Sequence, residues 1–537
     1  MKKFFSTLIL FFFVCFIYAQ AGEWTWMNGD SAQLPIAHYG TQGVFDSLNT
    51  PPALYEACEW TDLQGNFWLF GGVDYNGALE YGDLWQFKPS INQWAWIKGP
   101  GIAEQAGVYG TQGVPSLTNN PGARAWGCMT WADLNNNLWL FGGIAFDANG
   151  AQNELNDLWK YDISTNEWTW MKGADTIHSS GVYGTIGVSS PTNTPPCMWE
   201  NNGSWTDSNN NLWLFGGISY AHLNASLNTL WKYDISTNEW TWINGVNTGY
   251  TPAVYGIKGV ASPTNNPGGR TVYCKWKDSN DNLWFFGGGY TNHQKNDLWK
   301  YSISTDEWTW MSGDSATIGN VELDSSMCIP AESNIPEGRY ENRACWTREC
   351  DNLAMYGGYG TTGLHSDLWN YKIASGEWTL VSGDTVHGLP AVYGIKEVSS
   401  PNNRPAASGG AIGWKDNSGN LWLFGGNWGG NTMWRYVPDS ICPNLCGETS
   451  IAEISNDKNN LSIYPNPFHT SCILQISSEF SNSELKIYNT LALLVRTEKV
   501  FRQTSHNLYR NELANGIYFL QLINENGKIA NRKCIIE

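Results

Sequence analysis

Charge is scarce in this chain. Only 15% of its 537 residues are charged, and the balance is acidic, -18 from 31 basic and 49 acidic side chains. No basic excess is present to neutralise phosphates, which argues against a nucleic-acid partner. Long apolar runs are as scarce: past Phe4 to Ile17 there is none, so the remainder reads as a chain with no membrane span. A Gly-x-Ser-x-Gly nucleophile elbow and a phosphate-binding loop are both missing, which removes two common routes to acyl and phosphoryl transfer. What the chain has instead is 57 Gly and 31 Trp. So many turn formers and aromatics with so little Lys and Glu indicate an all-β fold with many turns.

The N-terminus reads as a secretory signal over residues 1–19: Lys2 and Lys3, then the apolar run, then a cut after Ala19. Cys15 lacks the small residues that precede a lipoprotein cleavage site. It is one of 12 cysteines, so removal of the signal leaves an odd number and at least one thiol outside an intramolecular pair. Cys58, Cys128, Cys274 and Cys345 fall in first strands of repeats and are expected as small buried hydrophobes. Cys442 and Cys446, beside Pro443, are the best local disulfide candidate.

Gly-Gly doublets recur at Gly71, Gly142, Gly216, Gly287, Gly357 and Gly425, at intervals of 71, 74, 71, 70 and 68 residues. Such a period marks a repeat architecture. In the second repeat, strands are expected over Ala125–Trp131, Leu138–Phe141, Leu158–Tyr161 and Glu167–Met171, with Asp133–Asn137 and Asp162–Asn166 as turns and Ile144 to Asn156 as a variable loop. Four short antiparallel strands per repeat describe a propeller blade. The sixth repeat has Pro443 where its outer Trp should stand, while Glu23-Trp24-Thr25-Trp26 lacks strands before it. The N-terminal segment is therefore expected to close the ring as the sixth blade's outer strand.

After five of the six doublets an aromatic is followed by a Trp: Phe87 and Trp94, Tyr161 and Trp168, Tyr233 and Trp240, Tyr301 and Trp308, Tyr371 and Trp378. In this pattern the chain resembles the kelch-repeat family over about residues 22 to 437, although its repeats are longer. The extra length lies between blades and carries Val108-Tyr109-Gly110-Thr111-Gln112-Gly113-Val114, with relatives at Tyr39-Gly40, Tyr183-Gly184, Tyr255-Gly256 and Tyr393-Gly394. Recurrence at blade junctions points to a structural clip. The fifth insert lacks the motif.

From Leu461 Trp vanishes and short alternating strands begin. Tyr464-Pro465-Asn466-Pro467-Phe468, Leu485-Lys486-Ile487-Tyr488-Asn489 and Leu513-Ala514-Asn515-Gly516-Ile517-Tyr518-Phe519 resemble the C-terminal sorting domain of the bacterial type IX secretion system, with Ala492 where the family usually has Gly. That resemblance implies a small β-sandwich and passage across the outer membrane of a Gram-negative bacterium, with the type IX machinery as partner. The expected organisation is a signal peptide at 1–19, a six-bladed kelch-like β-propeller at 20–441, a linker at 442–458 and the sorting sandwich at 459–537.

Antiparallel order puts the loops after the doublets and the inter-blade inserts on one face, where long variable loops carry function. Arg124, Arg270, Arg339 and Arg404 stand at the start of inner strands. They either ring the channel mouth for an anionic sugar or carboxylate, or pair with Asp83, Asp157, Asp297 and Asp367 at the heads of third strands. His222, His293 and His365 occupy loops of that face, with His38, His178 and His387 in its inserts. No fixed spacing or carboxylate pattern accompanies them, so no metal, cofactor or catalytic residue is assigned. Asp278-Ser279-Asn280-Asp281-Asn282 resembles half a calcium loop but lacks its closing Glu, and its equivalents in other repeats are hairpin turns.

The expected function is a secreted or surface-attached, non-catalytic module that binds a glycan or a protein. The alternative is an extracellular carbohydrate-active enzyme, because kelch propellers include sialic-acid mutarotases and galactose oxidase. The oxidase type holds copper with paired Tyr and His and a Tyr–Cys crosslink, and no such constellation aligns here.

Overall fold

Each doublet ends an apolar second strand, and the computed structural model shows why two glycines stand there. The second glycine donates its N–H to a carbonyl at the entry of the next repeat: Gly72 to Arg124, Gly143 to Met198, Gly217 to Arg270, Gly288 to Arg339, Gly358 to Ser408. Gly426 donates to Leu54 and so returns to the first repeat. A Cβ on the first glycine would lie 2.5 Å from the Arg124 carbonyl at Gly71 and 2.5 Å from the Leu54 carbonyl at Gly425, and both glycines take positive φ.

The structure describes residues 22–31, 37–74, 79–289, 294–315, 323, 326–426, 430–439, 442, 461–489, 494–500, 502–511, 513–524 and 529–536. It is all-β, in two compact units, Met1–Leu445 and Cys446–Glu537.

In the first unit the described residues form six four-stranded antiparallel sheets. Their first strands neighbour one another in a cycle: Cys58–Thr61, Met129–Ala132, Ser204–Thr206, Cys274–Lys277, Cys345–Arg348, Ile412–Lys415 and back to Cys58–Thr61. This is the arrangement of a kelch β-propeller. Five sheets take all four strands from consecutive chain. The sixth takes its outer strand from Glu23–Asn28, which pairs with Met433–Val437. Trp24 is buried there against Tyr356 and Tyr436.

The second repeat follows its expected strands, with Asn137–Phe141 between Met129–Ala132 and Leu158–Asp162 and with Glu167–Lys172 outside. Its variable loop is more ordered than expected. Ile144–Phe146 and Gln152–Glu154 form a hairpin that pairs with Arg124–Ala125, because the doublet reverses the chain onto an apolar triplet whose Ala145 is buried. The Asp turns cap themselves: Asp278 Oδ1 accepts the N–H groups of Asn280 and Asn282, and Oδ2 accepts the Trp284 indole at 2.8 Å. Asp62, Asp133, Asp207 and Asp416 repeat this with Trp68, Trp139, Trp213 and Trp422. The half calcium loop is therefore a satisfied hairpin turn.

The expected Cys442–Cys446 bridge is not what Cys442 makes. Its partner is Cys328, 114 residues earlier, in the insert that lacks the Tyr-Gly motif. Closing so long a loop restricts the unfolded chain by about 4–5 kcal/mol on the chain-entropy account. The pairing ties Cys442 to the first unit rather than to a linker. Cys350 is also disulfide-bonded, and Cys446 lies outside the described residues. Cys58, Cys128 and Cys274 are buried and unbridged as expected, while Cys345 is half-buried.

The second unit has a three-stranded sheet, in which Ser471–Ile476 lies between Leu461–Tyr464 and Ser505–Tyr509. A four-stranded sheet runs Leu494–Val500, Ser483–Tyr488, Gly516–Asn524, Ile529–Ile536. Leu474, Leu485, Ile487, Leu508, Leu520 and Leu522 share one core between them.

Deletion of residues 22–28 leaves Met433–Val437 as an open edge and removes buried Trp24, a side chain worth roughly 3–5 kcal/mol. A clear fall in melting temperature is expected in a thermal melt. A truncated chain that melts with the full one would overturn closure by this strand.

Candidate functional site

Three of the four arginines are committed to the fold. Arg124 forks onto Asp157, with Nη1 to Oδ1 at 3.0 Å and Nη2 to Oδ2 at 2.8 Å, and also donates to the carbonyls of Gly122 and Gly142. Arg270 grips Asp297 and Arg339 grips Asp367 in the same way. All six side chains are buried. These cations fasten a blade entry to the head of the third strand, so they offer no open ring for an anion. Arg404 has no such partner: it stands four residues before Ser408, which takes the entry position of Arg124 in the sixth repeat, and it donates to the Pro390 carbonyl. The insert motif joins the same node. Tyr109 donates to Asp157 at 2.8 Å, Tyr255 to Asp297 at 2.7 Å and Tyr39 to Asp83 at 2.8 Å, which makes it a clip.

Among the histidines, His222 ends the short turn Tyr220–His222 beside Tyr183, and burial lowers its pKa. His293 lies outside the described residues. His365 is buried between Glu337 and Asp367, with His387 packed on it. The sequence reading found no carboxylate beside these histidines. The fifth insert supplies one, Glu337.

The feature that the sequence reading missed lies two residues past the carbonyls that receive the glycine N–H groups. Glu56, Trp126, Glu200, Val272, Glu341 and Gly410 occupy that place in the six repeats, and all have positive φ, from 40° at Val272 to 61° at Gly410. Left-handed backbone is costly for non-glycine residues, most of all for a β-branched one. It is held here by backbone bonds running from repeat to repeat: Glu200 N–H to Trp126 at 2.9 Å, Val272 to Glu200 at 3.2 Å, Gly410 to Glu341 at 2.8 Å and Glu56 to Gly410 at 3.3 Å. The result is a collar at one end of the channel.

Alternate repeats present an aromatic–glutamate dipeptide on this collar: Tyr55-Glu56, Trp199-Glu200 and Tyr340-Glu341. Carboxylate oxygens of the three glutamates lie within 4.8 Å of one another. Tyr55 donates to Glu341, Arg343 approaches Glu56 and Glu59 at 3.5 Å, and Glu56 Oε1 is buried without a hydrogen bond. Burial first, and then Glu56 beside them, raise both Glu200 and Glu341 well above the usual carboxylate range. Glu200 and Glu341 are thereby biased toward the neutral acid, a form that both donates and accepts hydrogen bonds.

Beside Glu200 a cavity of about 400 Å³ is lined by Trp126, Trp199, Glu80, Gln152, Asn153 and Ile144. Trp126 and Trp199 are half-buried, unlike the blade-packing tryptophans. Deeper along the first strands is a second cavity of about 240 Å³, whose lining includes Glu59, Lys275 and Ser204.

Comparison with known families gives two matches. The model of the KLHDC2/KLHL20/DRC7 Kelch-repeats domain matches residues 109–317. The model of the secretion system C-terminal sorting domain matches residues 462–537. The chain carries kelch repeats and a type IX sorting tail. The tail marks it for export by type IX secretion, to the cell surface or beyond. No curated protein matches the chain. Among the described residues no helix is long and apolar enough to cross a membrane.

The raised carboxyls give a signed pH dependence. The folded protein holds these protons more tightly than the unfolded chain, so their contribution is full below about pH 4 and is lost as pH rises through the folded-state values. Glu341→Gln, a fixed mimic of the neutral acid, should gain stability over the natural protein as pH rises, by up to about 1.4 kcal/mol per unit. Melting curves from pH 4 to 9 test this, and an offset independent of pH would refute it.

Proposed function

We propose that this kelch protein acts outside the cell as a non-catalytic module that binds a glycan at the collar. The observation that carries the reading is the set of three aromatic–glutamate dipeptides with the cavity beside them. Half-exposed Trp126 and Trp199 offer ring faces to a sugar, while Gln152, Asn153, Glu80 and Glu200 offer amides and carboxyls to its hydroxyls. The ligand that suits this lining is neutral or cationic. The anionic sugar expected from an arginine ring fits poorly, since those arginines are paired and the collar is acidic.

A second reading draws on the same carboxyls. A proton-bearing glutamate within 4.8 Å of another carboxylate is the equipment of general acid–base catalysis on a sugar acetal. Under that reading Glu200→Gln abolishes turnover while binding persists. Under the binding reading the glycan is recovered unchanged from the natural protein.

A glycan array followed by calorimetry tests the proposal. Trp199→Ala should weaken binding roughly tenfold or more, by loss of a stacking face. Arg404→Ala should leave affinity unchanged. Absence of any glycan binding, or full affinity in a folded Trp199→Ala protein, would refute it.

The address forms part of the same reading: an N-terminal signal for the inner membrane and the tail for the outer. A chain lacking residues 462–537 should accumulate folded in the periplasm, because the two units have separate cores. Fractionation with a protease-accessibility assay reads this out, and normal surface delivery would contradict it.

A further inference from the structure

Away from the collar, the fifth repeat gathers a ligand set from three segments. Glu337 comes from the end of the insert, His365 from the loop after the doublet, and His387 from the next insert. One atom from each lies within 4.8 Å of the others. Both imidazoles turn Nε2 toward the same carboxylate oxygen, Glu337 Oε2, at 3.4 Å from His365 and 2.9 Å from His387. Bonds of 2.0–2.2 Å to a tetrahedral ion require ligand–ligand edges of about 3.3–3.6 Å. The two edges to Glu337, at 3.4 and 2.9 Å, fall within about 0.4 Å of that range, and the edge between the imidazoles is under 4.8 Å.

The other nitrogen of His387 meets the Thr362 hydroxyl at 2.7 Å, which holds its Nε2 inward. That of His365 faces Asp367 Oδ2 at 3.6 Å, beyond hydrogen-bond length. Glu337 Oε1 is anchored by the N–H of Thr361 at 2.9 Å and by its hydroxyl, which leaves Oε2 for the histidines. His365 is buried, yet neither of its ring nitrogens makes a hydrogen bond. A buried imidazole left so is unusual unless something else occupies its lone pair. Space is kept open as well: a Cβ on Gly360 would lie 2.3 Å from His365 Nε2 and 3.1 Å from Glu337 Oε1.

We infer that Glu337, His365 and His387 bind a divalent transition metal of the zinc class, with a fourth position open to solvent past the partly exposed His387. Two imidazoles and one carboxylate suit such an ion better than calcium or magnesium, which take oxygen ligands. Local charge agrees, because Arg339 is neutralised by Asp367 and Glu337 supplies a further negative charge.

The experiment uses the full chain stripped with a chelator, titrated with Zn²⁺ by calorimetry and with Co²⁺ by visible absorption. One equivalent should bind, and Co²⁺ should give the d–d bands of a four- or five-coordinate nitrogen–oxygen site. His387 is partly exposed, so His387→Ala should fold normally and weaken Zn²⁺ binding by about a hundredfold or more. Gly360→Ala, which fills the space and keeps all three ligands, should weaken it also. His178→Ala, on the same face but outside the cluster, should change nothing. Three results overturn the inference: no stoichiometric binding, affinity retained in both His387→Ala and Glu337→Gln, or a Co²⁺–thiolate charge-transfer band showing that free cysteines hold the ion.

Discussion

The hydrogen bond from the second glycine of each doublet to the carbonyl of the next repeat is the constraint on which this architecture rests. Sheets of four short strands share no strand with their neighbours, and side-chain packing alone would let them slide. The glycine bond fixes the register between repeats at one point, next to the axis. It requires a strand end to run into the neighbour's backbone at a distance that no Cβ tolerates, as at Gly71 against the Arg124 carbonyl. Glycine follows from that, and the bond from Gly426 to Leu54 makes the set cyclic. The Arg–Asp forks and the tyrosine clips reinforce the same junction from further out. Breaking one buried fork would leave an uncompensated charge worth about 3–5 kcal/mol, so these arginines are bound to the fold and unavailable to a ligand.

The same constraint generates the collar. Once the entry carbonyl is committed, the chain must turn sharply to begin the first strand, and it does so through left-handed backbone two residues later in every repeat. Strain of this kind persists only where the surroundings over-determine it, and it collects where function does. Only one of the six positions is glycine. Three are glutamates in alternating repeats, aimed where their charges repel. A purely structural collar would be cheaper with glycine or asparagine throughout. Raised carboxyls at Glu200 and Glu341, with half-buried Trp126 and Trp199 beside them, are the departure from a purely structural collar on which the binding proposal rests.

Much of the fold was legible because its determinants are local and periodic. The doublets, the Asp turns with their Trp six residues on, the aromatic–Trp pairs and the solitary Glu23–Trp26 strand each show in a short window. The Arg–Asp pairing was legible as an alternative, since both partners recur at fixed offsets. The glutamate cluster was not. Glu56, Glu200 and Glu341 fall before the aligned strand, in half the repeats, and nothing in one repeat says that its glutamate meets two others at an axis. Aligning the six repeats at the entry carbonyl would have found it. The Cys328–Cys442 bridge and the Glu337–His365–His387 cluster escaped for another reason: the bridge joins an insert to the chain after the last repeat, the cluster joins two inserts and a loop after a doublet, and only the fold brings these segments together.

The fifth repeat shows how these two kinds of information trade. Arg348 stands where other repeats place the turn Asp, and Ala354 where they place the Trp that bonds to it. The insert before this repeat lacks the clip tyrosine. Having lost the turn cap and the clip, it holds its parts by other means. Cys328 pins the insert to Cys442, Cys350 is covalently tied, and Tyr356 reaches the carbonyls of Pro405 and Ala406. A segment released from the clip is free to take another course, and here that course carries Glu337 to two histidines. A repeat protein changes one unit at a time because each contacts only its neighbours. The unit that departs furthest from the common pattern is therefore where a function peculiar to this chain is most economically built, and the His–carboxylate cluster stands in that unit.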